Sequence, residues 1–225
     1  MVFDDGIREG CMSGMAAAER AREVVKRLRR EFPGARTALA HEDPFQLLIS
    51  TILSAQCTDA RVNMVTPALF RKYPGPERFA KAEVRDIEAM IRSTGFFHAK
   101  ARSIKGCCAA LVRDHGGKVP REMEELVELP GVGRKTANCV LGSAYGIASG
   151  VVVDTHVKRL SGRLGLSKEE TPEKIEGDLM KEVPKPDWIG FSHLLIWHGR
   201  RTCMARKPRC ASCVLADICP SAGKA

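Results

Sequence analysis

Four cysteines fall within seventeen residues near the C-terminus, in the stretch CMARKPRCASCVLADIC, with six, two and five residues between Cys203, Cys210, Cys213 and Cys219. Four thiolates in so short a loop can surround one metal centre, and the two-residue gap lets neighbouring sulfurs point at the same site. The spacing suits tetrahedral zinc and an iron-sulfur cluster equally. Between the first two cysteines stand Arg206, Lys207 and Arg209. A metal that pins a loop studded with cations makes a rigid surface for phosphate, whereas without it the loop is only incidentally basic. The scattered cysteines, Cys11, Cys57, Cys107, Cys108 and Cys139, read as small buried hydrophobes.

A second constellation is LPGVGRKTAN, residues 129 to 138. It is not a nucleotide-binding P-loop: Arg134 rather than glycine precedes Lys135, and Leu129 stands where the first glycine belongs. The preceding REMEELVEL reads as helix, with Met123, Leu126 and Val127 on one face, so no strand feeds the loop. Two helices joined by PGVG make a helix-hairpin-helix. Gly131 and Gly133 permit positive φ and close approach, and the second helix offers free N–H groups at its start. Such a hairpin grips a phosphate without reading bases; the plain alternative is a tight turn.

Lys135 lies in the first turn of that second helix, where the positive dipole end and Arg134 disfavour a charged ammonium and leave part of the amine nucleophilic. On its own, a lysine after a glycine loop is more often a phosphate contact than a nucleophile. VVVDTHVKRL adds Asp154, the only carboxylate between Glu128 and Glu169, placed to cap a helix that begins at Thr155. Capping does not exclude catalysis.

The elements that position these groups are helices. Met15 to Phe32 is amphipathic with Val24, Val25 and Leu28 inward. Asp43 caps and Pro44 opens FQLLISTILSAQC, apolar nearly all round and so central in a core. Helices follow at 59–73, with a kink or restart at Pro67, at 83–95 and at 97–117, the last two with glycine stops. Later helices span 171–183, behind a Thr171 cap, and 186–199. No alternating run long enough for a sheet occurs, so the chain is all-α. Its formal charge of +9 favours a polyanionic partner. The run Thr136 to Val153 holds too many glycines and polar residues for a membrane span, and the N-terminus is no secretory signal. The expected setting is the cytoplasm.

LSAQCTD, LPGVGRKTAN, VDTHVKR, HGR and the C-x6-C-x2-C-x5-C tail together resemble the bacterial endonuclease III family of helix-hairpin-helix DNA glycosylases, from roughly Thr37 to Cys219. The resemblance implies a two-domain helix-hairpin-helix glycosylase fold. A six-helix barrel domain would span 37–148, and an iron-sulfur cluster domain 1–36 with 149–225. It implies a 4Fe-4S cluster on the four cysteines. It further implies a monomeric, nucleoid-associated enzyme of base-excision repair that acts on double-stranded DNA containing damaged pyrimidines or abasic sites, with no membrane partner.

Under the same resemblance Lys135 attacks C1′ of the damaged nucleotide, Asp154 supports departure of the base, and β-elimination cuts the strand, which requires the base out of the stack. Gln56 fills the vacated space, and Phe96 stands at an apolar wedge position that is usually leucine. Ser54, Asp59 and His156 line the pocket. Leu129, Gly131, Gly133, Arg134, Arg206, Lys207 and Arg209 contact DNA.

Close alternatives fit less well. An adenine glycosylase uses a carboxylate in the helix before the glutamine, and Phe45 to Cys57 contains none. Lys135 disfavours uracil or thymine mismatch enzymes, and 8-oxoguanine enzymes usually lack the cysteine tail. A non-catalytic cluster-bearing DNA-binding module, with Lys135 only touching phosphate, is the reading from another class.

Overall fold

Asp43 and Asp154 start helices as their positions predict. The Asp43 side chain accepts the Gln46 N–H at 2.7 Å, and Asp154 Oδ1 accepts those of His156 and Val157 at 2.8 Å each. The computed structural model describes residues 15–224 and contains no strand among them. It separates into two units: Arg36–Val152, and Met1–Ala35 with Val153–Ala225. Residues 1–14, with Cys11, lie outside the described residues.

The first helix of the terminal unit, α1 (Ala17–Glu31), buries Ala21, Val24, Val25 and Leu28 on one stripe. In the Arg36–Val152 unit, α2 (Pro44–Ser54) buries Leu47, Leu48, Ile49 and Leu53 completely. Apolar nearly all round, it cannot lie at a surface. It is covered by α3 (Asp59–Lys72), α6 (Phe97–Asp114) and α8 (Arg134–Tyr145). Around this core run α4 (Pro76–Lys81), α5 (Val84–Ile91) with a 3-10 turn at Arg92–Thr94, and α7 (Met123–Val127). Each fully buried leucine or isoleucine here contributes about 1.5–3 kcal/mol, so α2 is the main support of everything the unit presents.

Three elements depart from the sequence expectation. The helix at 59–73 runs through Pro67 without restarting, because Thr66 and Leu69 on either side are buried and this helix packs on α2 and α5. In the segment that follows, Pro76 is the first residue of α4, and Phe79 anchors that helix in the core.

The other two departures lie in the terminal unit, which continues with α9 (Thr155–Arg163), α10 (Pro172–Glu182) and α11 (Trp188–Arg201). There α1 packs on α10 and α11, and α9 packs on both as well. Thr171 occupies the cap position of α10 but makes no side-chain cap bond. Gly199 does not stop α11, which runs on to Arg201. It is a contact glycine, since a Cβ there would come within 2.9 Å of His156 Nδ1. Among the described residues no helix is long and apolar enough to cross a membrane.

Candidate functional site

The hairpin of α7 and α8 is tied down from inside. Leu129 and Val132 are buried, and the Val132 N–H donates to the Leu129 carbonyl at 3.0 Å. Leu129 therefore anchors the loop through its side chain and has only its main chain left for a ligand. Gly131 has φ +80, and a Cβ there would meet Ser103 Cβ at 2.6 Å, so both the turn and the approach to α6 require glycine. Gly106 gives the same helix room for Pro130. Gly133 differs from the expectation: its φ is −92, and nothing lies within 4 Å of where its Cβ would be. Its smallness keeps the start of α8 open, where Arg134 and Lys135 are both exposed.

Gln56 and Phe96 stand at the ends of helices. Gln56 is exposed two residues beyond α2, and Phe96 is 68% exposed just before α6. Both have left-handed backbones, at φ 50 and 47. A cleft of about 220 Å³ is lined by Gln56, Phe96, Lys100, Ser103 and Gly131, so the fold brings the glutamine, the wedge candidate and the hairpin loop to one place.

Ser54, the last residue of α2, spends its hydroxyl proton on the Thr51 carbonyl at 2.8 Å and faces any ligand as an acceptor. Asp59 opens α3. Cys139, one turn along α8 from Lys135, has its thiol pushed up by burial; hydrogen bonds from Thr51 and Ser143 and the Lys135 charge oppose the rise, while Asp59 adds to it. Lys135, Asp59, Thr51 and Cys139 thus share one locality, and the last of these was read from sequence only as a buried hydrophobe.

Asp154 and His156 open α9 in the terminal unit. Burial holds His156 below the ordinary histidine value, helped by Arg159 and Arg200 and opposed by Asp154. Its Nδ1 faces Arg159 Nη2 at 3.1 Å, so the ring is fixed from within its own helix.

The cysteine loop of the same unit fits an iron-sulfur group. Burial pushes the Cys213 thiol up to about 11 and that of Cys219 upward, and charges on Cys203, Cys210 and Cys219 appear among the further causes. The four sulfurs are therefore electrostatic neighbours. Donors that stabilise thiolate are already in place: Arg163 Nη1 to Cys203 at 3.3 Å and the Leu215 N–H to Cys213 at 3.4 Å, and His198 Nε2 lies 3.4 Å from the Cys213 sulfur. Arg163 also holds the carbonyls of Met204 and Ala205, and Arg159 those of Gly199 and Cys203. Neither arginine was singled out in the sequence, where their i, i+4 spacing on α9 was the available signal. Arg206, Lys207 and Arg209 are all exposed on this loop, Lys207 with φ 52.

Residues 49–185 match the model of the HhH-GPD superfamily base excision DNA repair proteins, and residues 203–219, from the first loop cysteine to the last, match the iron-sulfur binding domain of endonuclease III. Endonuclease III of Synechocystis sp. is 56% identical over 91% of this chain and 93% of its own length. That of Escherichia coli is 41% identical over 88% and 93%. A trapped endonuclease III–DNA covalent intermediate with an estranged adenine superposes with a TM-score of 0.88 at 42% identity, covering 92% of this chain and 98% of that one. The chain belongs to the endonuclease III family: an all-α, two-domain helix-hairpin-helix DNA glycosylase and AP lyase of base-excision repair that carries a 4Fe-4S cluster.

Proposed function

We propose that this enzyme acts as a monomer, in the cytoplasm at the nucleoid, on double-stranded DNA containing an oxidised pyrimidine or an abasic site, with Lys135 as nucleophile. The amine attacks C1′ as the bond from C1′ to the base breaks, and the base leaves with the bonding pair and takes up a proton. The sugar ring then opens: the C1′–O4′ bond breaks as the nitrogen lone pair forms the imine, O4′ takes up a proton, and the imine acidifies the 2′ hydrogen. Loss of that proton expels the 3′ phosphate and cuts the strand. Asp154 supports base departure with its charge, and both of its capping bonds fall on Oδ1. Ser54, Asp59 and His156 shape the lesion pocket.

The Arg36–Val152 unit serves as the barrel domain and the terminal unit as the cluster domain. A 4Fe-4S cluster on Cys203, Cys210, Cys213 and Cys219 cross-links the loop when bound. Arg206, Lys207 and Arg209 meet phosphate, as do Arg134 and the main chain of Leu129, Gly131 and Gly133. Gln56 takes the space of the extruded nucleotide, with Phe96 as the wedge.

One observation carries the reading. Among the described residues only Gln56, Phe96 and Lys207 combine a side chain with a left-handed backbone, a conformation that costs about 1–2 kcal/mol. All three are residues assigned to DNA by motif alone. Stored strain at those places, and at no other non-glycine among the described residues, is expected where side chains must project into a duplex.

Single-lesion duplexes assayed separately for base release and nicking test the proposal. Thymine glycol and abasic substrates should be processed by the parent, and Lys135→Gln should lose nicking by at least about 10³-fold while binding persists. Parental nicking rates in that variant would refute the nucleophile.

A further inference from the structure

Lys100 is nearly fully buried, at 5% exposure, on the face of α6 turned to α2. Its ammonium donates to the Leu53 carbonyl at 2.8 Å and to the Thr94 carbonyl at 2.8 Å. The first lies in the last turn of α2, and the second ends the 3-10 turn. Its own N–H donates to the Phe96 carbonyl at 3.1 Å. The carbonyl end of α2, with the negative pole of its dipole, and the end of the 3-10 turn therefore meet on one cation. Among the described residues no carboxylate pairs with it, and burial lowers its pKa, with Cys57 pulling the other way.

Burying an ammonium is costly and needs a return. A helix end commonly satisfies its last carbonyls with a left-handed glycine at the cap. Past α2 that position is Gln56, left-handed with a side chain, and past the 3-10 turn Gly95 at φ 68 is followed at once by Phe96, which is left-handed with a side chain as well. At the end of α2 Lys100 supplies a hydrogen bond that a glycine cap would otherwise arrange, and through the Thr94 carbonyl it ties that end to the turn that leads into Phe96.

We propose that Lys100 is the positioning residue that locks Gln56 and Phe96 into one frame, so that both enter the duplex together when a lesion is extruded. It touches neither the sugar nor the damaged base. The proposal rests on the assignment of Gln56 and Phe96 to the duplex. Its signature is selective: extruding a paired lesion needs both residues, whereas reaction of an abasic sugar in single-stranded DNA needs neither.

The experiment compares Lys100→Met with the parent in two assays: single-turnover release of thymine glycol from a duplex, and borohydride trapping on a single-stranded abasic oligonucleotide. A third readout, fluorescence of 2-aminopurine placed opposite the lesion, reports the orphaned base. The expected result is a fall of about 30- to 100-fold in duplex release, loss of the fluorescence change, and trapping within about twofold of the parent. In the Gln56→Ala, Phe96→Ala background, Lys100→Met should add little, because the residues act as a unit.

Equal losses in both assays, or none in either, would overturn the role. Should Lys100→Met not fold, Lys100→Arg is read by the same ratio, and an unchanged ratio of duplex release to trapping is the contrary result. A parent that neither releases base nor traps refutes the underlying assignment instead, which keeps the two failures distinct.

Discussion

Asp154 Oδ1 accepts the main-chain N–H of Val157 at 2.8 Å, so the carboxylate proposed for catalysis is also the cap of α9. The two roles separate by substitution. Asp154→Asn keeps an oxygen that can cap, and should unfold within about 0.5 kcal/mol of the parent. Asp154→Ala loses the cap and should cost about 1 kcal/mol. Both should slow base release by about 100-fold or more. Thermal unfolding beside single-turnover release reads the two effects. Loss of activity in proportion to loss of stability would reduce Asp154 to a cap.

The two hairpin glycines should respond differently. Gly131→Ala forces a side chain into φ +80 and against Ser103, and should destabilise the fold by about 2–3 kcal/mol. Gly133→Ala meets open space and should cost stability only about 0.5–1 kcal/mol, as a poorer cap. Its effect should instead fall on DNA affinity, which titration of a labelled duplex measures. Equal destabilisation by the two would contradict the packing described for Gly131.

Arg163 binds the Cys203 sulfur and two carbonyls of the loop that follows. Arg163→Leu should therefore loosen the cluster before it alters the hairpin. Iron and sulfide content of the purified variant should fall, with affinity for the metal weakened about 10- to 100-fold. Full iron content together with parental resistance to chelators would show the contact to be incidental.

Burial holds His193 of α11 below the ordinary histidine value. As pH drops below the unfolded value of about 6.5, the unfolded chain takes up a proton that the folded chain resists. The contribution to stability is present above that value and is lost as pH falls toward the folded pKa. His193→Gln should flatten the acid limb of the urea midpoint between about pH 6.5 and 5. Parallel limbs in the two proteins would remove His193 from the account.

What the sequence made legible were features with a local cause. Asp43 and Asp154 sit beside the helices they cap, the apolar character of α2 is visible in its own residues, and the four cysteines proposed as ligands lie on one short loop. What stayed hidden depends on partners distant in the chain. Pro67 is carried by packing from α2 and α5, and Gly199 is small because of His156. Lys100 reads as an ordinary lysine of an amphipathic helix until Leu53, 47 positions away, is seen to accept from it. Gly133 was assigned a positive φ from its type, yet the turn concentrates that demand on Gly131.

The central claim is that one amine forms the covalent bond to sugar carbon. Reduction with borohydride on abasic duplex, digestion, and mass spectrometry of the adduct locate that bond directly. The predicted result is a single deoxyribose-derived mass on Lys135, absent from Lys135→Gln. An adduct on another lysine, with Lys135 unmodified, would contradict it.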